Sequence, residues 1–90
     1  MRKIIRVDGT EVEIPSRERM DKLRAMIGAD TLDTVLLRDR VHVMLLSDTG
    51  AIDGSPVNLA ATKLYHDVCH PGTTHQIHGD VVIVPDEDFA

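Results

Sequence analysis

"DTVLLRDRVHVMLLSDTG", residues 33–50, decides the fold. It reads as two strands, 33–38 and 41–47, joined at the polar break Arg38-Asp39-Arg40. In the second strand Val41, Val43 and Leu45 alternate with His42, Met44 and Leu46, so both of its faces are apolar. A strand with one wet face alternates apolar and polar residues. A strand apolar on both faces belongs in the middle of a sheet or under a cover. His42, within such a strand, reads as a neutral, hydrogen-bonded histidine near the strand's edge.

The rest of the chain supplies the other strands and the cover. "RKIIRVDG" and "TEVEIP", residues 2–15, read as a hairpin about Asp8-Gly9, where glycine accepts the positive φ of a type I′ turn. Val12 and Ile14 form its buried face and Pro15 ends it. Ser16 is the expected N-cap of a helix over 17–28, whose buried face is Met20, Leu23 and Ile27 and whose stop is Gly28. Turn chemistry at Asp48-Thr49-Gly50 and Asp53-Gly54-Ser55-Pro56 leads to Asn58, the N-cap of a helix over 59–68. Ala61, Leu64, Tyr65 and Val68 are its buried face. "IHGDVVIVP", residues 77–85, is the last strand. The order is β-β-α-β-β-α-β: one α+β domain over residues 1–85, mostly antiparallel, with both helices expected on one face of the sheet. Residues 86–90 read as a loose acidic tail.

Ninety residues allow one modest core, so dimerisation or a bound metal would help stability. The net charge of −5 is unevenly spread, because Lys63 is the only Lys or Arg after residue 40. The acidic second half disfavours phosphate backbones and favours basic partners. Tyr65 and Phe89 are the only aromatic residues, too few for base stacking. Direct nucleic-acid binding is therefore not expected. A lone cysteine, no long apolar run and a quickly polar N-terminus lead us to expect a cytoplasmic protein without a membrane span.

The chemistry-bearing stretch is "YHDVCHPGTTHQIHGD", residues 65–80, which holds four of the five histidines and the only cysteine. His66, Cys69, His70, His75 and His78 are candidate ligands for zinc, which needs three or four converging donors. Pro71 pushes His70 out of the helical region, so the His66/His70 spacing does not guarantee a shared face. The competing reading is a helix end, a loop opened by Pro71 and Gly72, and a strand entry. A nucleophilic Cys69 has no oriented base in the sequence, and no phosphate loop or paired-carboxylate signature is present. No enzymatic role is expected.

"IIRVDGTEVEI", the stretch from Asp33 to Tyr65 and "IHGDVVIVP" together resemble a family of small phage and mobile-element proteins catalogued as a domain of unknown function. The pattern is "VDG…G-x-P-V-N-x-x-A-T-x-L-Y…I-x-G-D-V", and "PVNLAATKLY" is its most specific part. The chain departs from it at Arg38-Asp39-Arg40, where relatives commonly have glycine, and over 68–75. The resemblance implies an accessory protein acting in a bacterial host and carries no catalytic residues. Its shared residues have structural explanations: Gly54 and Pro56 shape a turn, Asn58 caps, Ala61 and Tyr65 face the sheet.

Three functions follow as expectations. The first is a non-catalytic protein that occupies a host protein, such as a CRISPR effector or another defence component. Asp48, Asp53, Asp86, Glu87 and Asp88 would meet a basic surface in imitation of nucleic acid. The second is a binder of a cyclic nucleotide signal through Arg2, Arg6, Arg38 or Arg40. The third is a zinc-stabilised interaction domain. A homodimer is expected from an exposed sheet edge and a small core.

Overall fold

A computed structural model describes residues 1–49, 54–69 and 71–89, with the side chain of Phe89 left aside. The elements are β1 (Lys3–Ile5), β2 (Glu11–Glu13), α1 (Met20–Met26), β3 (Leu32–Leu36), β4 (His42–Ser47), α2 (Leu59–His66) and β5 (Val81–Pro85). The strands form one five-stranded sheet in the order β2-β1-β5-β4-β3. Every neighbouring pair is antiparallel. The expected α+β class and element order hold. β5 takes the centre with all five residues buried, and β4 lies beside it, as its two apolar faces require.

The helices do not share a face. Ile5, Met44, Leu46, Val81 and Ile83 project to one side and meet Ala61, Leu64 and Tyr65 of α2. The alternate residues Ile4, Val43, Leu45, Val82 and Val84 project to the other and meet Leu23 and Met26 of α1. This corrects the expectation of a one-sided cover. The physical reason lies in the strands: a row of Val and Leu on each face of β4 and β5 must leave water on both sides, and each face takes one helix. Burying a Val or Leu is worth about 2 kcal/mol, so leaving either face bare would unfold so small a domain.

The local details adjust the turn chemistry. Arg6 N–H donates to the Thr10 carbonyl and Gly9 N–H to the Arg6 carbonyl, with Gly9 at φ 90°. This is a three-residue loop ending in a left-handed glycine, not a type I′ turn. Asp8 closes it by accepting from the Thr10 amide and hydroxyl. In the β3–β4 turn Arg40 takes φ 58°, a left-handed position for a non-glycine residue. Ser16 is not a cap: α1 starts at Met20 after Arg19, with no side-chain cap. Val12, expected inside, is 41% exposed on the edge strand β2, whereas Ile14 is buried. α2 ends at His66, and Val68 is exposed.

The expected loose tail is also corrected over its described part. Asp86–Phe89 forms a 3-10 turn against the chain's start. Arg2 Nε and Nη2 each donate to Asp88 at 2.9 Å, and Arg17 Nη2 donates to the Asp88 carbonyl at 2.7 Å. No helix among the described residues is long and apolar enough to cross a membrane.

Candidate functional site

At one end of the sheet β4 stops and β5 begins, and a small cleft opens there. Register sets Asp33 beside Leu46 and Leu32 beside Ser47, so Asp48 follows directly at the rim. The opposite wall is the segment His75-Gln76-Ile77-His78. Asp33, Leu46, Ser47 and Asp48 line, with that wall, a cavity of about 100 Å³. A water molecule occupies about 30 Å³ in the liquid. The cleft therefore holds a few waters or the tip of one side chain, and it is too small for a nucleotide.

The wall containing His75 to His78 is fixed by neutral hydrogen bonds centred on Asn58, which is fully buried. Its side-chain oxygen accepts from Ala61 N–H at 3.0 Å, the helix-capping bond the sequence led us to expect. Its amide nitrogen also donates to the carbonyls of Ile5 and Gly79, each at 3.0 Å. One residue thus ties α2, β1 and the approach to β5. Thr62, also buried, accepts from Ile77 N–H at 2.9 Å, and Asn58 N–H donates to the Ile77 carbonyl at 2.8 Å. His78 Nδ1 donates to the Ser55 carbonyl at 2.8 Å. A neutral ring protonated there keeps Nε2 as an acceptor. Asp80 completes the corner by accepting from Val7 N–H at 3.0 Å and from Arg6 at 2.9 Å.

The acids of this cleft have light commitments. Asp33 is exposed and accepts from Thr34 N–H at 3.0 Å. Asp48 is exposed and accepts from the Thr31 hydroxyl. Asp33, Asp48, His75 and His78 therefore all line a space sized for one cationic head group. Such an arrangement can receive a lysine ammonium or an arginine guanidinium by charge-assisted hydrogen bonds.

The five acids expected to meet a partner do not form one surface. Asp48 stands at the cleft end, while Asp86 and Glu87 are exposed at the far end of the sheet. Asp53 lies outside the described residues. Asp88 is spent internally: its side chain is 6% exposed, and hydrogen bonding from Arg2 holds its carboxyl below the usual range. Asp33 was missed because its spacing in β3 carried no motif; only its pairing opposite Leu46 brings it beside Asp48.

The four described members of the histidine and cysteine set are also dispersed. His66 Nε2 donates to the His75 carbonyl at 2.6 Å, so the loop folds back through its backbone rather than through a ring nitrogen. The His75 ring packs edge-on to Tyr65 with centroids 5.6 Å apart. Cys69 sits beside the Tyr65 hydroxyl, and the hydrogen bond between them pushes Tyr65 up. Among the described residues no three His, Cys, Asp or Glu side chains converge to hold a metal ion. His70 lies outside those residues. Of the arginines set aside for an anionic ligand, Arg2 and Arg6 are engaged by Asp88 and Asp80, and Arg38 and Arg40 are exposed on the β3–β4 turn.

At that turn His42 Nδ1 lies 2.6 Å from Asp39 Oδ2, while Asp39 Oδ1 accepts from Val41 and His42 N–H. Hydrogen bonding from the His42 ring, then from these two amides, lowers the Asp39 carboxyl to about 2. The pair shapes the tight turn between β3 and β4. Compared with protein-family models, curated proteins and solved structures, the chain matches none of them.

Proposed function

We propose that this protein is a non-catalytic binding module that captures a basic side chain of a partner protein in the cleft of Asp33, Asp48, His75 and His78. The observation that carries this reading is the gathering of Asp33, Asp48, His75 and His78, both aspartates exposed, around a space of about 100 Å³ on a wall fixed by buried neutral bonds. A rigid acidic socket on a chain of net charge −5 selects for lysine or arginine, and its field speeds encounter with a basic surface. The phage-type resemblance supports the narrower expectation of a host protein as the partner. A component of a bacterial defence system such as a CRISPR effector, whose basic channels hold nucleic acid, is the partner class of that kind.

The test is affinity capture from bacterial host lysate with the wild-type protein and the Asp33→Asn, Asp48→Asn double variant as baits. The proposal expects a protein retained by the wild type, eluted by moderate salt and lost with the double variant. Equal capture by both baits, or none by either, would remove the cleft from the function.

A further inference from the structure

β3 lies at one edge of the sheet with its outer side unpaired in the strand order. Leu37 N–H donates to the His42 carbonyl at 2.9 Å. Antiparallel alternation then turns the backbone groups of Val35 and Asp33 toward β4 and leaves those of Leu32, Thr34 and Leu36 pointing outward. The other edge, β2, is three residues long and carries Glu11 and Glu13, the short charged form that discourages pairing. β3 is five residues long and contains neither proline nor lysine. Leu36 is 47% exposed on it, beside an open groove of about 260 Å³ lined by Thr34, Leu36, Val43 and Asp86.

We propose that β3 pairs antiparallel with β3 of a second copy, about a two-fold axis through Thr34. Leu32 then lies opposite the partner's Leu36, and Asp30 opposite the partner's Arg38. The register is fixed by complementarity. A two-fold axis normal to the sheet keeps like faces together, so registers differ in steps of two residues. One step in one direction sets Asp33 against the partner's Asp33, a like-charge pair. One step in the other sets Leu32 against the partner's Arg38. Only the Thr34-centred register among these three places leucine on leucine and acid on base.

Asp30 and Arg38 are both exposed, and neither carboxylate nor guanidinium has an ion pair among the described residues. Arg24 holds Asp30 in place through its carbonyl at 3.0 Å. The symmetry makes both contacts occur twice. Asp33 modulates the pairing: its carboxylate occupies Thr34 N–H, the central donor of the new ladder, and must release it for two copies to join.

Sedimentation equilibrium of the wild type, Asp30→Arg, Arg38→Asp and Leu36→Glu tests the pairing, with circular dichroism to show that each variant is folded. The wild type is expected at twice the 10.0 kDa chain mass, and each single variant dissociates with Kd raised roughly tenfold or more. An equimolar mixture of Asp30→Arg and Arg38→Asp is expected to form a mixed dimer, since each end then joins opposite charges. Asp33→Ala tightens self-association. A wild type that stays monomeric at hundreds of micromolar overturns the proposal. So do charge variants that dimerise like the wild type, or a mixture of the two that stays monomeric.

Discussion

Asp88 and Asp48 are the same residue type at opposite ends of one sheet, and the structure uses them in opposite ways. Asp88 is enclosed by the Arg2 fork and by Arg17, with its side chain 6% exposed. Asp48 is open to solvent, and among the described residues it accepts from a threonine hydroxyl. The first end closes the chain's start against its finish with charge. The second is anchored by neutral buried bonds around Asn58, with Asp80 paired to Arg6 at its corner, and leaves Asp33 and Asp48 exposed. Charge spent on folding is unavailable for binding. The comparison therefore separates scaffold acids from candidate binding acids more sharply than their positions along the chain do.

The largest effect is expected where the open end is anchored. Asn58→Ala removes the cap of α2 and leaves the Ile5 and Gly79 carbonyls without their donor, a loss of about 3 kcal/mol in urea unfolding. Asn58→Asp keeps the capping oxygen but loses both donations and points a charge at two carbonyls. It should be at least as damaging. If Asn58→Asp were nearly neutral, capping alone would explain the residue and the three-way tie would be wrong.

Asp88→Asn comes next, at about 1 kcal/mol, because the pair is charge-assisted but Arg17 remains largely in water. Arg40→Gly should act in the other direction, stabilising by up to about 1 kcal/mol as the left-handed position is relieved. Both are read from shifts in the urea midpoint.

The charged end also predicts an acid response. There Asp39 at about 2, and Asp88 below its usual value, bind protons less readily folded than unfolded. Their contribution is complete above about pH 4 and is lost as pH falls toward about 2. Asp39→Asn should flatten that part of the stability profile, and an unchanged slope would remove the His42–Asp39 contact from the account. The smallest effect is expected at the open end, where Asp33→Asn and Asp48→Asn each change stability by less than about 0.5 kcal/mol.

Much of this fold was legible from β4. Its doubled apolar pattern placed it inside the sheet, and Asn58 ahead of "LAATKLY" marked a capped helix. The same pattern carried the signal for one helix per face, since Val43 and Leu45 need a cover distinct from that of Met44 and Leu46. Reading both helices onto one side overlooked it. Ser16 stands where a cap would be expected, but Arg17 reaches Asp88 and Glu18 meets Lys22, and the helix begins only at Met20. The candidate site was less visible because it is assembled across the sheet. Asp48 and His78 are far apart in the chain, and Asp33 comes beside Asp48 only through the register of a hairpin. The histidines drew notice as ligand types, yet His66 and His78 are held by backbone carbonyls that composition does not reveal.

The division between the two ends is tested most directly by titrating the isotopically labelled protein with a short arginine-rich peptide and following its amide resonances. The account predicts salt-sensitive shifts at Asp33, Ser47, Asp48 and Gln76 to His78, abolished by the Asp33→Asn, Asp48→Asn double variant. Shifts centred instead on Asp86 and Glu87, or unaltered in the double variant, would contradict it.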